Sequence, residues 1–436
     1  MEEYQNWSKT ISCTPKKYFE PESIHHMREI IKEAVAKDKT VRCVGSLASP
    51  SDLWCTSEYM ISTKHFDKVL SVDLVKQTIT VEAGISLEKI NKVLDENGLA
   101  LQVLPAISTL TIGGVLGTGV HGSGMNNKIL SEYVNELDLL CASGNIMHCT
   151  PHKNSDIFWS ALVNLGALGI ITSVTLQCVP MFCLKQTTES LDFPSGLKSI
   201  TNKEWGDHGK YMYYPSLDRI VRFDISKTNQ PIAKEVPSFV WHLFRHHGLL
   251  EYIFYFCLVL FSSLSSFLFF AIHKTLFGEP KTFTDKSFKV LHFDCLFSQY
   301  VSEWAIPACN IGSFLEELKR GIHELNLNAH SPIEIRHVKK SNAYLSPAHG
   351  CDHVYVNIIM FRPLNCDPPG KEEYWAFFEK LALKYNGRPH WAKSHSIHAE
   401  QFKKMYSSFA VFQAVQKQLD PNGTFVNDYI KRHILE

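Results

Sequence analysis

The sequence predicts an α+β protein built from two domains. Its predicted strands are short and do not alternate regularly with helices, as they would in a parallel α/β sheet. At 436 residues the chain is longer than a single hydrophobic core usually covers. Hydrophobic residues make up 45% of the chain, which supplies enough apolar surface for two cores.

Helices and short strands succeed one another in the N-terminal part of the chain. Apolar residues at helical spacing predict a helix from Pro21 to about Lys37 and another from Leu87 to Asn97, which Gly98 ends. The predicted strands are residues 40–44, 60–63, 68–72 and 78–83, with a turn-rich loop at 45–52; further along, a helix at 157–165 precedes a strand at 170–178.

The stretch from Ile112 to Gly124 has the sequence I-G-G-V-L-G-T-G-V-H-G-S-G and holds six glycines. Glycine loses more backbone entropy on folding than any other residue. A run this dense is therefore expected where the backbone must approach a phosphate, a flat ring or another backbone segment closely. Three interpretations of this stretch are possible: a dinucleotide-binding fingerprint, a loop along a flavin and its pyrophosphate, and a structural turn.

The dinucleotide interpretation rests on G-T-G-V-H-G at residues 117–122, with Asp138 downstream. That fingerprint must end one strand and open a helix inside a βαβ unit. The Ser-Gly-Met-Asn-Asn segment that follows opposes a helix start. Residues 134–141 and 146–150 then predict a β-hairpin with Asp138 in its first strand. The pattern therefore favours the flavin loop.

Charge and cysteine spacing exclude several classes of function. The formal net charge is zero, so the chain lacks the basic footprint expected of a nucleic-acid-binding protein. Its 12 cysteines are scattered without a C-x-x-C pair, so their spacing predicts neither a metal site nor a redox motif. The polar N-terminus, M-E-E-Y-Q-N-W-S-K-T, is unlike a signal peptide or an Arg-rich transit peptide.

Several segments occur in an order that resembles a known family. They are V-R-C-V-G-S-L-A-S-P-S-D, T-V-E-A-G-I-S-L, T-I-G-G-V-L-G-T-G-V-H-G, L-G-A-L-G-I-I-T-S-V-T-L, E-W-A-I-P, I-E-I-R, G-R-P-H-W-A-K and L-D-P-N-G-T-F. Together they resemble the flavin-dependent aldonolactone oxidoreductases of the vanillyl-alcohol-oxidase fold, which have a PCMH-type FAD-binding domain. The resemblance implies an FAD-binding domain at residues 1–183 and a separate α+β substrate (cap) domain at 184–385, with an apolar segment at 249–272. Residues 386–436 are expected to return to the FAD-binding domain.

The resemblance also implies an activity. It is the FAD-dependent oxidation of a sugar-acid 1,4-lactone at C2, by hydride transfer to flavin N5, giving ascorbate or an analogue with oxygen as the acceptor. Two alternatives stay open: a lactone dehydrogenase that uses cytochrome c or another acceptor, and a flavin-binding paralogue with weakened catalysis. Animal relatives are microsomal, so the expected location is the endoplasmic reticulum membrane, with a mitochondrial location as the alternative.

The expected cofactor-binding residues lie in the loop after the first strand, in the glycine-rich stretch and at a later strand. In oxidases of the family, the loop that matches residues 45–50 carries a histidine bonded covalently to the flavin. Ala48 stands there in this chain and cannot form the bond, so FAD is expected to bind non-covalently, as in the plant mitochondrial dehydrogenase of the family. His121 is expected to position the cofactor without carrying protons. The full set is Val44, Gly45, Ser46, Leu47, Ala48, Ser49, Pro50, Gly113, Gly114, Gly117, Thr118, His121, Gly122, Gly169 and Ile170.

Glu334 and Arg336 are the first catalytic candidates, two residues apart in I-E-I-R-H-V. In a strand they would share one face, and Ile333 and Ile335 would share the other. A carboxylate and a permanent cation on one face suit a polyhydroxylated lactone. The residues alone favour a solvated surface ion pair, whereas the resemblance assigns the Glu to substrate hydroxyls and the Arg to the substrate and flavin.

His390 and Lys393 are the second pair of candidates, in the segment P-H-W-A-K. The flanking proline and tryptophan suggest a fixed, partly buried loop. A lysine held there would face the reactive edge of the flavin and favour its anionic reduced form. The alternative is a surface lysine beside a packing tryptophan.

Tyr252 to Ile272 is a run of 21 residues without a formal charge, long enough as a helix to span about 30 Å. A single membrane pass would separate the glycine-rich stretch from the catalytic candidates, and four serines interrupt the middle of the run. We therefore predict a monotopic or re-entrant helical hairpin on a membrane surface, flanked by Arg245 and Lys274. A buried helix pair and a dimer interface are the alternatives.

Overall fold

The computed structural model describes residues 2–233, 248–292 and 298–436. The helices in these ranges are α1 (Ile24–Ala36), α2 (Leu87–Glu96), α3 (Ile112–Gly117), α4 (Ser155–Ala161), α5 (Phe193–Thr201), α6 (Leu249–Tyr255), α7 (Ser265–Phe277), α8 (Ser287–Leu291), α9 (Ile311–Glu324), α10 (Lys371–Lys384), α11 (Ala399–Met405), α12 (Phe409–Leu419) and α13 (Asp428–Ile430). The strands are β1 (Tyr4–Gln5), β2 (Ser12–Cys13), β3 (Lys17–Phe19), β4 (Val41–Val44), β5 (Tyr59–Ser62), β6 (Val69–Asp73), β7 (Thr78–Glu82), β8 (Leu99–Ala100), β9 (Val134–Leu140), β10 (Ile146–Cys149), β11 (Ile170–Gln177), β12 (Val179–Pro180), β13 (Cys183–Asp192), β14 (Lys210–Tyr214), β15 (Arg219–Thr228), β16 (Lys281–Lys286), β17 (Gln299–Pro307), β18 (Ile333–Val338), β19 (His353–Phe361) and β20 (Arg388–Pro389).

The predicted elements of the N-terminal part are confirmed. Helices α1 and α2 and strands β4 to β7 match the predicted positions to within a few residues. Each helix begins at a serine, Ser23 or Ser86, whose side chain accepts a backbone N–H of the first turn. The helix predicted at 157–165 is shorter, because α4 ends at Ala161 and Leu165 adopts a positive φ of 55°.

The two largest sheets of this part have three and five strands. Strands β3, β5 and β4 pair in parallel, and an antiparallel sheet has the order β10-β9-β11-β7-β6. Strands β9 and β10 are the predicted hairpin, in which Asp138 is in register with His148. Asp138 is thus a hairpin residue and not the ribose ligand of a dinucleotide fold, so the rejection of that fingerprint is confirmed.

The prediction of a loop for the whole glycine-rich stretch is wrong, because its first half forms the short helix α3. The helix stops at Thr118, and Gly119 follows with a φ of +68°. Gly124 has a φ of +129°, and a Cβ there would lie 2.0 Å from the Asp207 carbonyl oxygen. The glycines therefore let a compact helix–turn segment dock directly on other backbone.

The larger sheet has eight strands in the order β16-β13-β15-β14-β18-β19-β17-β20, all antiparallel. Ile333 and Ile335 of β18 are fully buried in the main core, together with Phe314 of α9 and Phe378 of α10. The two isoleucines therefore use one face of β18 for packing. The opposite face carries Glu334 and Arg336, as the period-two argument predicts.

The end of the chain packs against its beginning. The buried Arg42 guanidinium on β4 donates hydrogen bonds to the carbonyl oxygens of Leu165, Gly166 and Phe425. Leaving such buried carbonyls unpaired would cost about 1–3 kcal/mol each. The domain boundaries placed after residues 183 and 385 stay predictions.

Residues 249–277 form a bent pair of helices, which we call the apolar hairpin. In the described part of the chain no single helix is long and apolar enough to cross a bilayer, but the two arms, 249–260 and 262–277, meet that criterion together and are bent by 116°. Phe254, Leu258 and Phe269 pack against strands β17 and β19. Arg245, the predicted N-terminal flank, lies outside the described residues.

Candidate active site

A cavity of about 400 Å³ lies between the glycine-rich stretch and one face of the eight-stranded sheet. All four catalytic candidates line it: Glu334, Arg336, His390 and Lys393. The expected cofactor residues that line it are Val44, Gly45, Ser46, Leu47, Ala48, Ser49, Pro50, Gly113, Gly114, Gly117, Thr118, His121, Gly169 and Ile170. Segments that are distant in the sequence therefore share one enclosed space.

Gly122 is the one expected cofactor residue that does not line the cavity. A Cβ at this position would lie 2.4 Å from Val103 Cγ2 and 2.8 Å from the Leu104 carbonyl oxygen. Gly122 is bare because it packs on residues 103 and 104. Its assignment to the cofactor stays a prediction.

Two other glycines are better placed for a ligand. A Cβ on Gly114 would meet only Thr111 Oγ1, at 3.4 Å, so this backbone is open on its cavity side. A Cβ on Gly45 would lie 1.9 Å from the same Thr111 oxygen, so only glycine lets the 45–50 loop lie against the start of α3. The two bare positions frame a site that a flat ring can approach closely.

Four neighbouring strands carry a row of residues on the cavity face. Glu334 of β18 is in register with Met212 of β14 and Asn357 of β19, and Asn357 is in register with Glu303 of β17. Directly opposed residues point to the same face of a sheet, and all four line the cavity. Because adjacent strands lie about 4.8 Å apart, the backbone positions of Glu303 and Glu334 are roughly 10 Å apart.

Glu334 is buried between two cations. Lys210 Nζ lies 3.0 Å from its Oε1, and the Arg336 guanidinium donates to its Oε2. Burial by itself raises the pKa of Glu334, but the charges of Arg336 and Lys210 lower it to about 2. The solvated surface pair is therefore excluded, because Glu334 is 6% exposed and faces the cavity.

Glu303 is a second buried carboxylate, paired with His121. Burial raises the pKa of Glu303, but the charge and hydrogen bond of His121 bring it well below its usual range. His121 Nδ1 lies 2.9 Å from the Gly122 carbonyl oxygen, and Nε2 lies 3.2 Å from Glu303 Oε1. Both neighbours offer oxygen acceptors to the imidazole ring. The two residues form a buried imidazole–carboxylate pair.

His390 has the opposite character. The Ala392 N–H donates to its Nδ1 at 3.1 Å, so Nδ1 is unprotonated and the ring proton is on Nε2. Burial lowers the pKa of His390 to about 3, which keeps the ring neutral. The Trp391 indole donates to the Leu345 carbonyl oxygen at 2.6 Å and is fully buried. The loop is therefore fixed and partly buried, as expected.

Ligand atoms of His121, Glu303 and His390 lie within 4.8 Å of one another, a spacing that suits a metal ion. The site does not favour one. Lys393 and Arg336 contribute positive charge to the same cluster, and the Nε2–H of His121 already binds Glu303. A divalent cation would have to displace that proton against these charges. The expectation of no metal stays a prediction.

The cavity residues fit FAD. Arg42 lines the cavity, is fully buried, and its Nε has no hydrogen-bond partner among the described residues. Burial lowers its pKa to about 10, so it is still a cation at neutral pH. It forms no ion pair with a carboxylate of the described chain, which leaves its charge available to an anion such as a diphosphate. The open backbone at Gly114 suits the flat isoalloxazine ring.

Sequence reasoning missed three residues of this site. Glu303 stands in E-W-A-I-P, a segment that carried the family resemblance but had no assigned role. Lys210 and Asn357 gave no signal, because their proximity to Glu334 depends on strand pairing. Lys210 is 124 residues away from Glu334 in the sequence.

The chain is similar to known proteins along almost its whole length. A family model described as D-arabinono-1,4-lactone oxidase matches residues 174–433, and an FAD-binding domain model matches residues 15–150. L-gulonolactone oxidase of Scyliorhinus torazame is 35% identical, covering 99% of this chain and 98% of the relative. The Bos taurus L-gulonolactone oxidase is 38% identical, covering 98% and 97%. A variant of cholesterol oxidase from Brevibacterium sterolicum has a TM-score of 0.80 at 16% identity, covering 99% of this chain and 96% of its own, and shows the fold alone.

The ion pairs of Glu334 predict a pH dependence of stability. Its pKa is about 2 in the folded protein and about 4.3 in an unfolded chain. Because the folded pKa is the lower one, the stabilisation is complete above pH ~5 and is lost as the pH falls toward 2. We expect Glu334→Gln to remove at most about 3 kcal/mol of this pH-dependent stability.

Urea unfolding at several pH values between 5 and 3 measures this effect. The free energy of unfolding of Glu334→Gln should fall less steeply with acid than that of the wild type. Glu373→Gln, at an exposed position in the first turn of α10, serves as the control. Parallel curves for the wild type and Glu334→Gln would contradict the prediction.

Proposed function

Since this chain belongs to the D-arabinono-1,4-lactone oxidase family and is an FAD-dependent aldonolactone oxidase, we propose that it oxidises L-gulono-1,4-lactone or a lactone of that type at C2, giving ascorbate or an analogue. The single observation that carries the proposal is the Lys210–Glu334–Arg336 cluster on the sheet face opposite the glycine-rich backbone. The names of the full-length relatives support this substrate class.

FAD, when bound, supplies the hydride acceptor for this reaction. The ionised Glu334 can only accept hydrogen bonds, so it suits the hydroxyl groups of the lactone. Arg336 holds Glu334 in place, and its permanent positive charge stabilises the C2 oxygen of the substrate as the hydroxyl proton leaves that oxygen. The side-chain oxygen of Asn357 has no hydrogen-bond partner among the described residues, so it can accept a hydrogen bond from another hydroxyl group of the lactone.

His390 and Lys393 reach the cavity from the segment that follows β20, the strand paired with β17. With its proton on Nε2 and Nδ1 occupied, His390 is a hydrogen-bond donor and not a base. Lys393 adds a cation whose charge is felt at both Glu303 and His390. These donors favour negative charge on the reduced cofactor and on the substrate oxygen.

Oxygen is the proposed electron acceptor, because the similar L-gulonolactone and D-arabinono-1,4-lactone enzymes are named as oxidases. The alternative is a dehydrogenase that reduces cytochrome c. Ala48 favours this alternative, because it replaces the histidine that forms the covalent flavin bond in the family's oxidases. A flavin-binding paralogue with weakened catalysis is the third possibility. Turnover assays separate all three.

Substitutions in the charge cluster should abolish most of the activity on L-gulono-1,4-lactone. We expect Arg336→Met to lower kcat/KM by roughly 100-fold or more, because it removes the positive charge beside the substrate oxygen. Glu334→Gln should raise KM and lower kcat together. Steady-state rates in air, with hydrogen peroxide formed in equal amount to the lactone consumed, measure both effects.

Glu373→Gln should retain full activity, and each variant should bind FAD to the same extent as the wild type. Rapid cytochrome c reduction without peroxide would replace the oxidase proposal by the dehydrogenase. No turnover of L-gulono-, L-galactono- or D-arabinono-lactone by an FAD-loaded wild type would leave only the weakened paralogue.

We propose that the FAD is bound non-covalently. Ala48 lines the cavity, and its methyl group offers no atom that can bond to the flavin. Acid precipitation or detergent denaturation should therefore release all the FAD into the filtrate, and supplied FAD should raise Tm by mass action. Yellow fluorescence that stays with the denatured chain on a gel would contradict this proposal.

The apolar hairpin is proposed as a membrane-surface anchor. Tyr252, Phe256, Phe261, Phe267 and Phe270 are each about half exposed or more, whereas the other side of the hairpin packs on the sheet. Exposed aromatic side chains in one bent helix pair suit the headgroup boundary of a bilayer. We expect the endoplasmic reticulum membrane, with a mitochondrial membrane as the alternative; a dimer interface is the competing use of this surface.

Charged substitutions on the hairpin should release the protein from lipid. Burying one Phe side chain contributes about 1.5–3 kcal/mol, so Phe267→Glu with Phe270→Glu should weaken binding to phospholipid vesicles by roughly 100-fold or more. Co-sedimentation with vesicles measures the loss. Val75→Glu, at a similarly exposed apolar position on another element, is the control. Equal binding by both variants, or a wild type that dimerises and ignores vesicles, would refute the anchor.

A further inference from the structure

Two cysteines lie together on the outer side of the cofactor loop. Cys13 is the last residue of β2, and Cys55 directly follows the 3-10 turn Asp52–Trp54. The segments that carry them are adjacent, because the Lys16 N–H donates to the Ser57 carbonyl oxygen at 3.1 Å. Both side chains are half-buried, and they belong to the same small apolar cluster as Leu47 and Trp54. No step of lactone oxidation uses either thiol.

The Cys13 thiol is also chemically distinct. Its interaction with Cys55 lowers the pKa of the Cys13 thiol to about 7, below that of an ordinary thiol. Burial instead raises the pKa of Cys141 and Cys149 to about 11 and 12. Thiolates are the nucleophiles of cysteine chemistry, so an oxidant should find Cys13 first and Cys55 as its neighbour.

The N-terminal segment that carries Cys13 holds the cofactor loop from outside. The Trp7 N–H donates to the Leu47 carbonyl oxygen at 3.3 Å, and the Asn6 side-chain amide donates to the Ser49 carbonyl oxygen at 3.1 Å. Trp7 itself lines the cavity. This β1–β2 hairpin has only two residue pairs, Tyr4 with Cys13 and one neighbour, so little backbone pairing holds it.

The segment that carries Cys55 follows the 45–50 loop in the sequence and also reaches the cavity. Leu53 and Trp54, just before Cys55, both line it. A bond between the two thiols would therefore join the two segments that flank residues 45–50. That loop contains Ala48, where no bond to the flavin is available.

We propose that Cys13 and Cys55 are a peroxide-sensitive thiol pair, and that their disulfide fastens the N-terminal hairpin across the cofactor loop. The Cys13 thiolate attacks hydrogen peroxide, an S–O bond forms, the O–O bond breaks, and hydroxide leaves. The Cys55 sulfur then attacks the Cys13 sulfur, the S–S bond forms, and the oxygen leaves as water. Overall, two thiols and one peroxide give one disulfide and two waters, and two electrons pass from sulfur to oxygen.

The disulfide should slow the loss of FAD, a consequence that rests on the proposed non-covalent binding. Without a covalent tether, the cofactor leaves when the 45–50 loop opens, and the disulfide restricts that opening. Disulfide formation itself does not depend on how FAD is bound. The two results are therefore measured separately.

The first measurement is the chemistry. FAD-loaded full-length protein is treated with a small excess of hydrogen peroxide, alkylated under denaturing conditions, and analysed by intact and peptide mass. We expect one cross-linked peptide pair that contains Cys13 and Cys55, about 2 Da lighter than the sum of the two unalkylated peptides and reversed by dithiothreitol. Cys13→Ser and Cys55→Ser should each abolish the cross-link, and Cys309→Ser, at an exposed cysteine, should retain it.

Three results would overturn the thiol pair: sulfinic acid at Cys13 without a cross-link, a disulfide between other cysteines, or a cross-link that survives Cys13→Ser. The second measurement is the rate of FAD release after dilution into FAD-free buffer, followed by the rise in flavin fluorescence. It should be at least threefold slower in the oxidised wild type than in the reduced protein, and unchanged by peroxide in Cys13→Ser. If a fully cross-linked wild type releases FAD at the same rate as the reduced protein, the disulfide does not fasten the loop. If FAD stays covalently bound to the denatured chain, it is the proposal of non-covalent binding that fails. Thermal unfolding of each reduced variant checks that it is folded.

Discussion

The whole site depends on one constraint: charges enclosed between the glycine-rich stretch and the eight-stranded sheet must be paired. An unpaired buried ion costs several kcal/mol. Glu303 on β17 meets His121 from the glycine-rich stretch, and Glu334 on β18 meets Lys210 and Arg336. The first pair connects the two walls of the cavity, and the second stays within the sheet. Both carboxylates are consequently ionised and fixed in place before any substrate arrives, which is the preorganisation that a charge-separating reaction requires.

Close approach of backbone segments is the second requirement, and it explains most of the glycines. Gly122 and Gly124 are bare because other parts of the chain pack against them, and the Gly124 N–H donates to the His337 carbonyl oxygen at 2.9 Å. The contact with His337 docks the stretch near the end of β18, directly after Arg336. In α3, by contrast, Gly114 is open to the cavity in which the cofactor is expected. The glycine-dense segment thus combines close backbone packing with an open cavity wall.

The surfaces around the cavity are coupled to it by shared strands. Val301, Ile359 and Phe361 line the cavity and also contact the apolar hairpin, so the proposed membrane anchor is one side-chain layer away from the site. On the other side, the N-terminal hairpin holds the loop that contains Ala48. A cofactor without a covalent tether is retained by such contacts alone. Stability of the N-terminal hairpin and retention of FAD are therefore expected to be linked properties.

Local pattern was sufficient for elements whose cause is local. Period-two alternation placed Glu334 and Arg336 on one face of β18, and the turn-flanked strands around Asp138 excluded the dinucleotide fingerprint. The ordered motifs identified the family, since they record a whole fold and not one segment. Pattern failed where the cause was distant. Helix α3 formed where a loop was expected, and Glu303 acquired its partner from 182 residues away. The sequence by itself determined which residues could be charged, bare or apolar; only the tertiary structure decided which of them face each other, because the pairing of strands and the burial of ions are properties of the assembled sheet.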